Sequence, residues 1–252
     1  MYTLKKSLGQ HFLKDESVIA RILEQLNREN CLQLLEVGPG GGALTKHLMQ
    51  LPDIDFKAVE LDEEKIQFLI NRLKFPAERI ISADFLNIDP PFSGSFHVIG
   101  NFPYNISSQI LFKVLDWKAQ VPVVIGMFQK EVAERVAAKP GKKDYGVISV
   151  LIQAYYSVEY LFDVNPECFN PPPKVMSGVI RLERRTTLPN MASERLFRLL
   201  VKTAFNQRRK TLRNAVKSIF PPEVLQDPIF DLRAERLSLE DFAALTFRMN
   251  GV

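Results

Sequence analysis

The chain has 252 residues, of which 46% are hydrophobic and 25% charged, with a formal net charge of +4. This is the balance of a soluble globular protein, and it excludes a disordered or fibrous chain. The longest apolar runs, Val121 to Phe128 and Val147 to Ile152, are far too short to cross a bilayer, and no apolar signal core follows Lys5 and Lys6, so a cytoplasmic protein is expected.

Residues 1–14 read as an N-terminal arm with Gln10-His11-Phe12-Leu13 as its notable part. Asp15 is placed to cap a helix whose apolar stripe is Val18, Ile19, Ile22, Leu23 and Leu26. Cys31 to Val37 reads as the first buried strand. It runs into Gly38-Pro39-Gly40-Gly41-Gly42-Ala43 and then a helix from Leu44 to Leu51. Such a strand, glycine turn and helix start let a ligand approach the backbone closely and leave amides free to meet it. Cys31 and Cys168 are isolated thiols without metal or redox spacing; both are expected to be reduced, and no metal site is expected.

The second strand, Phe56 to Val59, ends at Glu60, and an acid at that distance from the glycine turn commonly binds the two hydroxyls of a ribose. A third strand, Arg79 to Ala83, ends at Asp84. The fourth, Phe96 to Ile99, runs into Gly100-Asn101-Phe102-Pro103-Tyr104, a turn that offers an amide, a stiffening proline and an aromatic ring. Four successive strands thus end in Gly38, Glu60, Asp84 and Asn101. In open α/β sheets ligands bind beyond the carboxyl ends of the strands, so the set describes a cleft for a nucleoside-bearing cofactor. The pattern Gly38-x-Gly40-x-x-Ala43 also fits a dinucleotide fingerprint, which leaves NAD open at this point.

Val121 to Phe128 reads as a fifth strand, followed by a helix from Lys130 to Ala138, a basic loop at Lys139-Pro140-Gly141-Lys142-Lys143, and an apolar helix over residues 146–156. Val158 to Phe162 and Val179 to Leu182 are predicted as a closing antiparallel pair. Between them Phe169-Asn170-Pro171-Pro172-Pro173-Lys174-Val175 forms a stiff extended loop, since three prolines fit neither a helix nor a central strand. Composition changes after Arg184. The expected domains are residues 1–184, an α/β unit, and residues 185–252, a small all-helical unit. From Arg195 to Pro222 there are eight Lys or Arg and no acid, which suits a polyanionic partner.

The chain resembles the ribosomal RNA adenine dimethyltransferases, and within them the bacterial branch acting on small-subunit (16S) rRNA. The resemblance is carried by Gln10-His11-Phe12-Leu13, Glu36-Val37-Gly38-Pro39-Gly40, Asn101-Phe102-Pro103-Tyr104 and Phe169 to Val175, with Phe205 to Asn214 similar to the small-subunit branch. It implies a Rossmann-like, seven-stranded class I methyltransferase domain with a helical RNA-binding domain. It also implies S-adenosyl-L-methionine as methyl donor, with Gly38 against its methionine part, Glu60 on the ribose and Asp84 at the adenine amine. His11, Leu13 and Asn101 complete the cofactor contacts. The sequence departs from the family's usual pattern at His11, where Asn is more common, and at Phe102, where Leu is.

The chemistry agrees. An adenine amine is a poor nucleophile because its lone pair is delocalised into the ring. Acceptor oxygens from the Asn101 side chain and from a carbonyl of the Phe102-Pro103 turn favour a pyramidal nitrogen. Tyr104 and Phe169 are expected to sandwich the unstacked base. Orientation then does most of the work and no general base is required. Lys142, Lys143, Arg208, Arg209, Lys210 and Arg213 are the expected RNA contacts. The expected partner is 16S rRNA within the small subunit, at two adjacent adenosines in a hairpin loop near its 3′ end, and the protein is expected to be a monomer. A large-subunit rRNA dimethyltransferase and a non-catalytic assembly factor are the alternatives. NAD falls away because no hydride-transfer constellation accompanies the glycines.

Overall fold

The structure is a computed structural model that describes residues 11–26 and 31–250. The arm before His11, including Gln10, Lys5 and Lys6, lies outside the described residues. The chain divides into two compact units, residues 1–133 with 158–184, and residues 134–157 with 185–252.

In the first unit, a short strand β1 (Phe12–Leu13) leads into helix α1 (Glu16–Leu23), which Asp15 caps by accepting from the amides of Ser17 and Val18. There follow β2 (Gln33–Val37), α2 (Thr45–Leu48), β3 (Asp55–Glu60), α3 (Glu63–Leu73), β4 (Ile80–Ser82), β5 (His97–Asn101), α4 (Ser107–Asp116), β6 (Val123–Gln129) and α5 (Lys130–Ala137). After α6 (Val147–Gln153) come β7 (Tyr156–Val164), a two-residue β8 (Phe169–Asn170) and β9 (Ser177–Arg184).

Seven strands form one sheet in the order β4-β3-β2-β5-β6-β9-β7. β2 is parallel to β3 and to β5, β3 to β4 and β5 to β6, while β9 is antiparallel to β6. Six of the seven residues of β6 are buried, as a central strand covered on both faces requires. The chain builds outward from β2 to β4, then returns to place β5 on the other side of β2. That reversal opens a crevice at the carboxyl ends of β2 and β5, where such sheets bind ligands. β9 enters between β6 and β7, so the two strands expected at the end of the domain are neighbours at the sheet edge.

The second unit holds α6, α7 (Glu194–Phe205), α8 (Leu212–Val216) and α9 (Leu239–Leu245), with short 3-10 turns between α8 and α9. Its core is aromatic: Phe205 meets Tyr145 and Phe242, and Phe220 meets Phe230 edge-on. The sequence boundary at 184/185 coincides with a boundary between units, but it assigned residues 134–157 to the α/β unit. They cluster with 185–252 instead. The reason lies in α6, where Ile148, Ser149, Val150, Leu151 and Ile152 are all buried. A helix apolar on every side needs neighbours all round, and α7 supplies part of that cover. Among the described residues no helix is long and apolar enough to cross a membrane.

Candidate active site

A cavity of about 230 Å³ lies at the carboxyl ends of the parallel strands. Its lining includes His11, Leu13, Gly38, Glu60, Asp84, Asn101, Phe102, Pro103 and Tyr104, so nine residues expected at the site from sequence surround one space.

Gly38 follows β2 with a positive φ of 68°, and a Cβ there would come within 3.4 Å of the Pro103 ring, so the glycine turn and the turn after β5 pack against each other. Glu60 is buried and held by three backbone amides: Gly40 N–H donates to Oε2 at 3.1 Å, while Leu61 and Asp62 N–H donate to Oε1 at 2.9 and 3.0 Å. The carboxylate is thereby fixed in orientation before any ligand arrives. Asp84 follows β4 and accepts from Leu86 N–H and from the Asn87 side-chain amide.

Asn101 is the last residue of β5 rather than part of the turn, so the strand ladder itself aims it. Its Nδ2 donates to the carbonyl of His11 at 3.1 Å. That fixes which way the amide faces and leaves Oδ1 to accept from another donor. Phe102 is 1% exposed. Its ring lies against Gly100 and Gly126, which face each other across β5 and β6. A Cβ at Gly126 would fall 2.4 Å from the ring, and one at Gly100 would fall 2.7 Å from it. Paired glycines therefore make the room for the aromatic ring. Tyr104 is held at its hydroxyl by Ser177 Oγ at 2.5 Å, and burial pushes its phenol above the usual range, so it serves as a neutral ring.

Phe169 does not join this lining. Its ring is 1% exposed and belongs to the core, because β8 pairs with β1, setting Phe169 opposite Leu13 and Asn170 opposite Phe12. The two-ring sandwich expected from sequence thus has one wall at the cavity, Tyr104, and the other turned inward.

Sequence reading gave Glu36 no role of its own beyond its place in the glycine motif. It sits on β2, 2% exposed, lines the cavity and accepts from Thr45 Oγ1 at 2.7 Å. Burial, reinforced by the nearby negative Glu60, pushes its carboxyl up to about 8. Glu36, Glu60, Asp62 and Asp84 line the cavity, against Lys65 as the one Lys or Arg. With its carboxyl so raised, Glu36 is mostly protonated near neutral pH, and the other three acids around one small space disfavour the paired phosphates of a dinucleotide and suit a cationic ligand. An acid just before the glycine turn was the signal available in sequence.

In the second unit, Lys142, Lys143, Arg209 and Lys210 are exposed. Arg208 is exposed as well, but its guanidinium donates to the carbonyls of Lys143 at 2.6 Å and Tyr145 at 3.1 Å, tying the basic loop to the basic segment after α7. Arg213 is engaged by the Leu225 carbonyl at 2.8 Å and by Asp231 at 2.9 Å. Of the six expected RNA contacts, these two arginines have structural partners.

The strand order, the glycine turn and the acids at successive strand ends define a class I methyltransferase. Solved structures share the fold: a dimethyladenosine transferase from Plasmodium falciparum (TM-score 0.74, 24% identity, covering 92% of this chain and 94% of that one) and the 23S rRNA methyltransferase ErmE (TM-score 0.72, 24% identity, 95% and 99%). The chain belongs to the ribosomal RNA adenine dimethylase family, whose pattern it matches over residues 1–248. Among similar sequences are the proteins named ribosomal RNA small subunit methyltransferase A of Parabacteroides distasonis, 52% identical over 96% of this chain and 92% of that protein, and of Cytophaga hutchinsonii, 50% identical over 98% and 97%.

Proposed function

We propose that the protein uses S-adenosyl-L-methionine to dimethylate the exocyclic N6 amine of two adjacent adenosines in a hairpin loop near the 3′ end of 16S rRNA. The observation that carries the donor assignment is the acidic cavity: Glu60, Asp62 and Asp84 suit a molecule bearing a sulfonium and an ammonium, and Glu60 is pre-set for a ribose diol. When bound, S-adenosylmethionine supplies an electrophilic methyl group on a good leaving group. Gly38 lies against its methionine part and Asp84 takes the adenine amine. The rRNA assignment draws on family membership and on the names of relatives about half identical over nearly the whole chain.

The chain's own residues then prepare the nucleophile. Asn101 Oδ1 and the Phe102 carbonyl accept from the two N–H bonds of the target amine, which localises its lone pair toward the methyl group. Tyr104 stacks on the unstacked base. After transfer the ammonium proton is acidic enough to leave to water. Pairing of the base with Phe169 requires that ring to leave the core, so Tyr104 is the wall that meets the base first. Lys142, Lys143, Arg209 and Lys210 hold RNA phosphates, and Arg208 holds the loop that carries the first two.

The test is incubation of the protein with methyl-labelled S-adenosylmethionine and, separately, 16S rRNA in small-subunit particles and 23S rRNA. Nucleoside mass spectrometry should find N6,N6-dimethyladenosine in 16S rRNA, at adjacent positions. Label confined to 23S rRNA, or no label in either, would overturn the reading.

A further inference from the structure

His11 is where this sequence departs from its family's arm, and the structure gives the residue three simultaneous engagements, two through its imidazole and one through its carbonyl. Its Nδ1–H donates to the carbonyl of Pro171 at 2.9 Å, 160 residues away in sequence. Its ring stacks on Tyr104, with centroids 5.8 Å apart and planes 30° apart. Its own carbonyl receives the Asn101 amide at 3.1 Å. The flanking chain secures it further: β1 pairs with β8, and Lys14 N–H donates to the Cys168 carbonyl at 2.9 Å. One arm residue therefore touches Asn101, Tyr104 and the proline-rich loop.

We propose that His11 is a positioning residue for the catalytic turn, its imidazole anchoring the arm to Pro171 and bracing the ring of Tyr104 while its carbonyl orients the amide of Asn101. This rests on the proposed adenine N6 transfer and adds to it how the acceptor and the stacking ring are held. Two restraints act on Tyr104, Ser177 at the hydroxyl and His11 at the ring. The Asn101 amide has one hydrogen-bond partner among the described residues, and that partner is the arm. Looseness in the arm would blur both groups at once, and small misplacements of reacting groups are costly in rate. The family's usual Asn places its Nδ2 at the same distance from Cα as the imidazole Nδ1, so it keeps the donor for Pro171 and lacks the ring.

The two parts of the imidazole can be separated. His11→Asn keeps the donor, His11→Phe keeps the ring, and His11→Ala removes both. In single-turnover methylation of 16S rRNA at saturating donor, His11→Ala should slow transfer roughly tenfold. His11→Asn should recover part of that loss; because His11 also lines the donor cavity, the rate is read at saturating donor, where weaker donor binding does not enter. Melting curves and hydrogen exchange over residues 11–14 accompany the kinetics, with faster exchange expected in His11→Ala at an unchanged melting temperature. A loss that is seen at limiting donor and vanishes at saturating donor would make His11 a cofactor contact alone and overturn the inference. Faster transfer in His11→Ala, or unchanged transfer beside an active wild type, would overturn it too, the first by showing the ring to be an obstacle to the base. A wild type that transfers no methyl at all would instead remove the functional reading, and this inference with it.

Discussion

The cavity of the first unit and the basic surface of the second carry opposite charge in opposite settings. Around the cavity, Glu60 is buried and held by three backbone amides, so its carboxylate has a fixed direction. On the second unit, Lys142, Lys143, Arg209 and Lys210 are exposed, and of the basic side chains there Arg208 and Arg213 are held by carbonyls. Enclosed, directed charge selects a small ligand by geometry. Exposed, mobile charge suits a long polyanion whose phosphates need not be met one by one, and it is weakened by salt. On the proposed function the first region handles the methyl donor and the amine, and the second the RNA backbone.

The sharpest way to break this division is Asn101→Ala. Transfer should fall roughly 10²–10³-fold, as when a directed polar group is removed from a preorganised site. RNA affinity, measured by filter binding, should stay near wild type. A variant that loses RNA binding instead would show the two regions are not separable.

Next in size is Gly126→Ala, which asks whether the cavity's geometry depends on packing beneath it. The new methyl would meet the rings of Phe102 and Phe128 at 2.4 and 2.5 Å. Overpacking of this kind costs about 3 kcal/mol, read as a lowered denaturation midpoint. Adding Phe102→Leu should restore part of it, because the smaller side chain relieves one of the two clashes and leaves that with Phe128.

A smaller effect is expected on the basic surface. Arg209→Ala with Lys210→Ala should weaken RNA binding about tenfold and reduce the salt slope by about two, one per lost phosphate contact. Arg213→Ala should leave that slope unchanged and lower stability, because its guanidinium is spent on Asp231 and the Leu225 carbonyl.

The smallest concerns Glu36. Its carboxyl is raised from an ordinary 4.5 to about 8. A raised carboxyl binds its proton more tightly in the folded chain, so its contribution is fully present below 4.5 and is lost as pH rises through about 8. Glu36→Gln cannot ionise, so its melting temperature should decline less over that interval than that of the wild type. If the two profiles run parallel, the acid is not burdened by burial as described.

Much of the first region was legible from the chain alone. A buried strand, a glycine turn and a helix start occupy a dozen consecutive residues, and acids at the ends of strands announce themselves by the apolar run before them. Glu60 and Asp84 were therefore picked out as candidates without knowing how the strands were ordered, and both line the cavity. Phe169 was misplaced for the complementary reason. Its neighbours in sequence suggest a rigid presenter, but its ring is directed by pairing with Leu13, more than 150 residues earlier. The same blindness applied to Arg208 and Arg213, whose cationic character is plain but whose partners at Lys143 and Asp231 come from other segments.

Local chemistry, then, was written in the linear chain: which segments become strands, where the backbone must turn through glycine, and which acids stand at strand ends. These depend on residues within a few positions of one another. What the tertiary structure alone decided is every relation that needs two distant segments to become neighbours. Phe102 lies against two glycines on adjacent strands, residues 134–157 belong to the helical unit, and His11 reaches Pro171 and Tyr104. No local periodicity encodes these, because the free energy that settles them comes from close packing and hydrogen bonds that exist only after the sheet has formed.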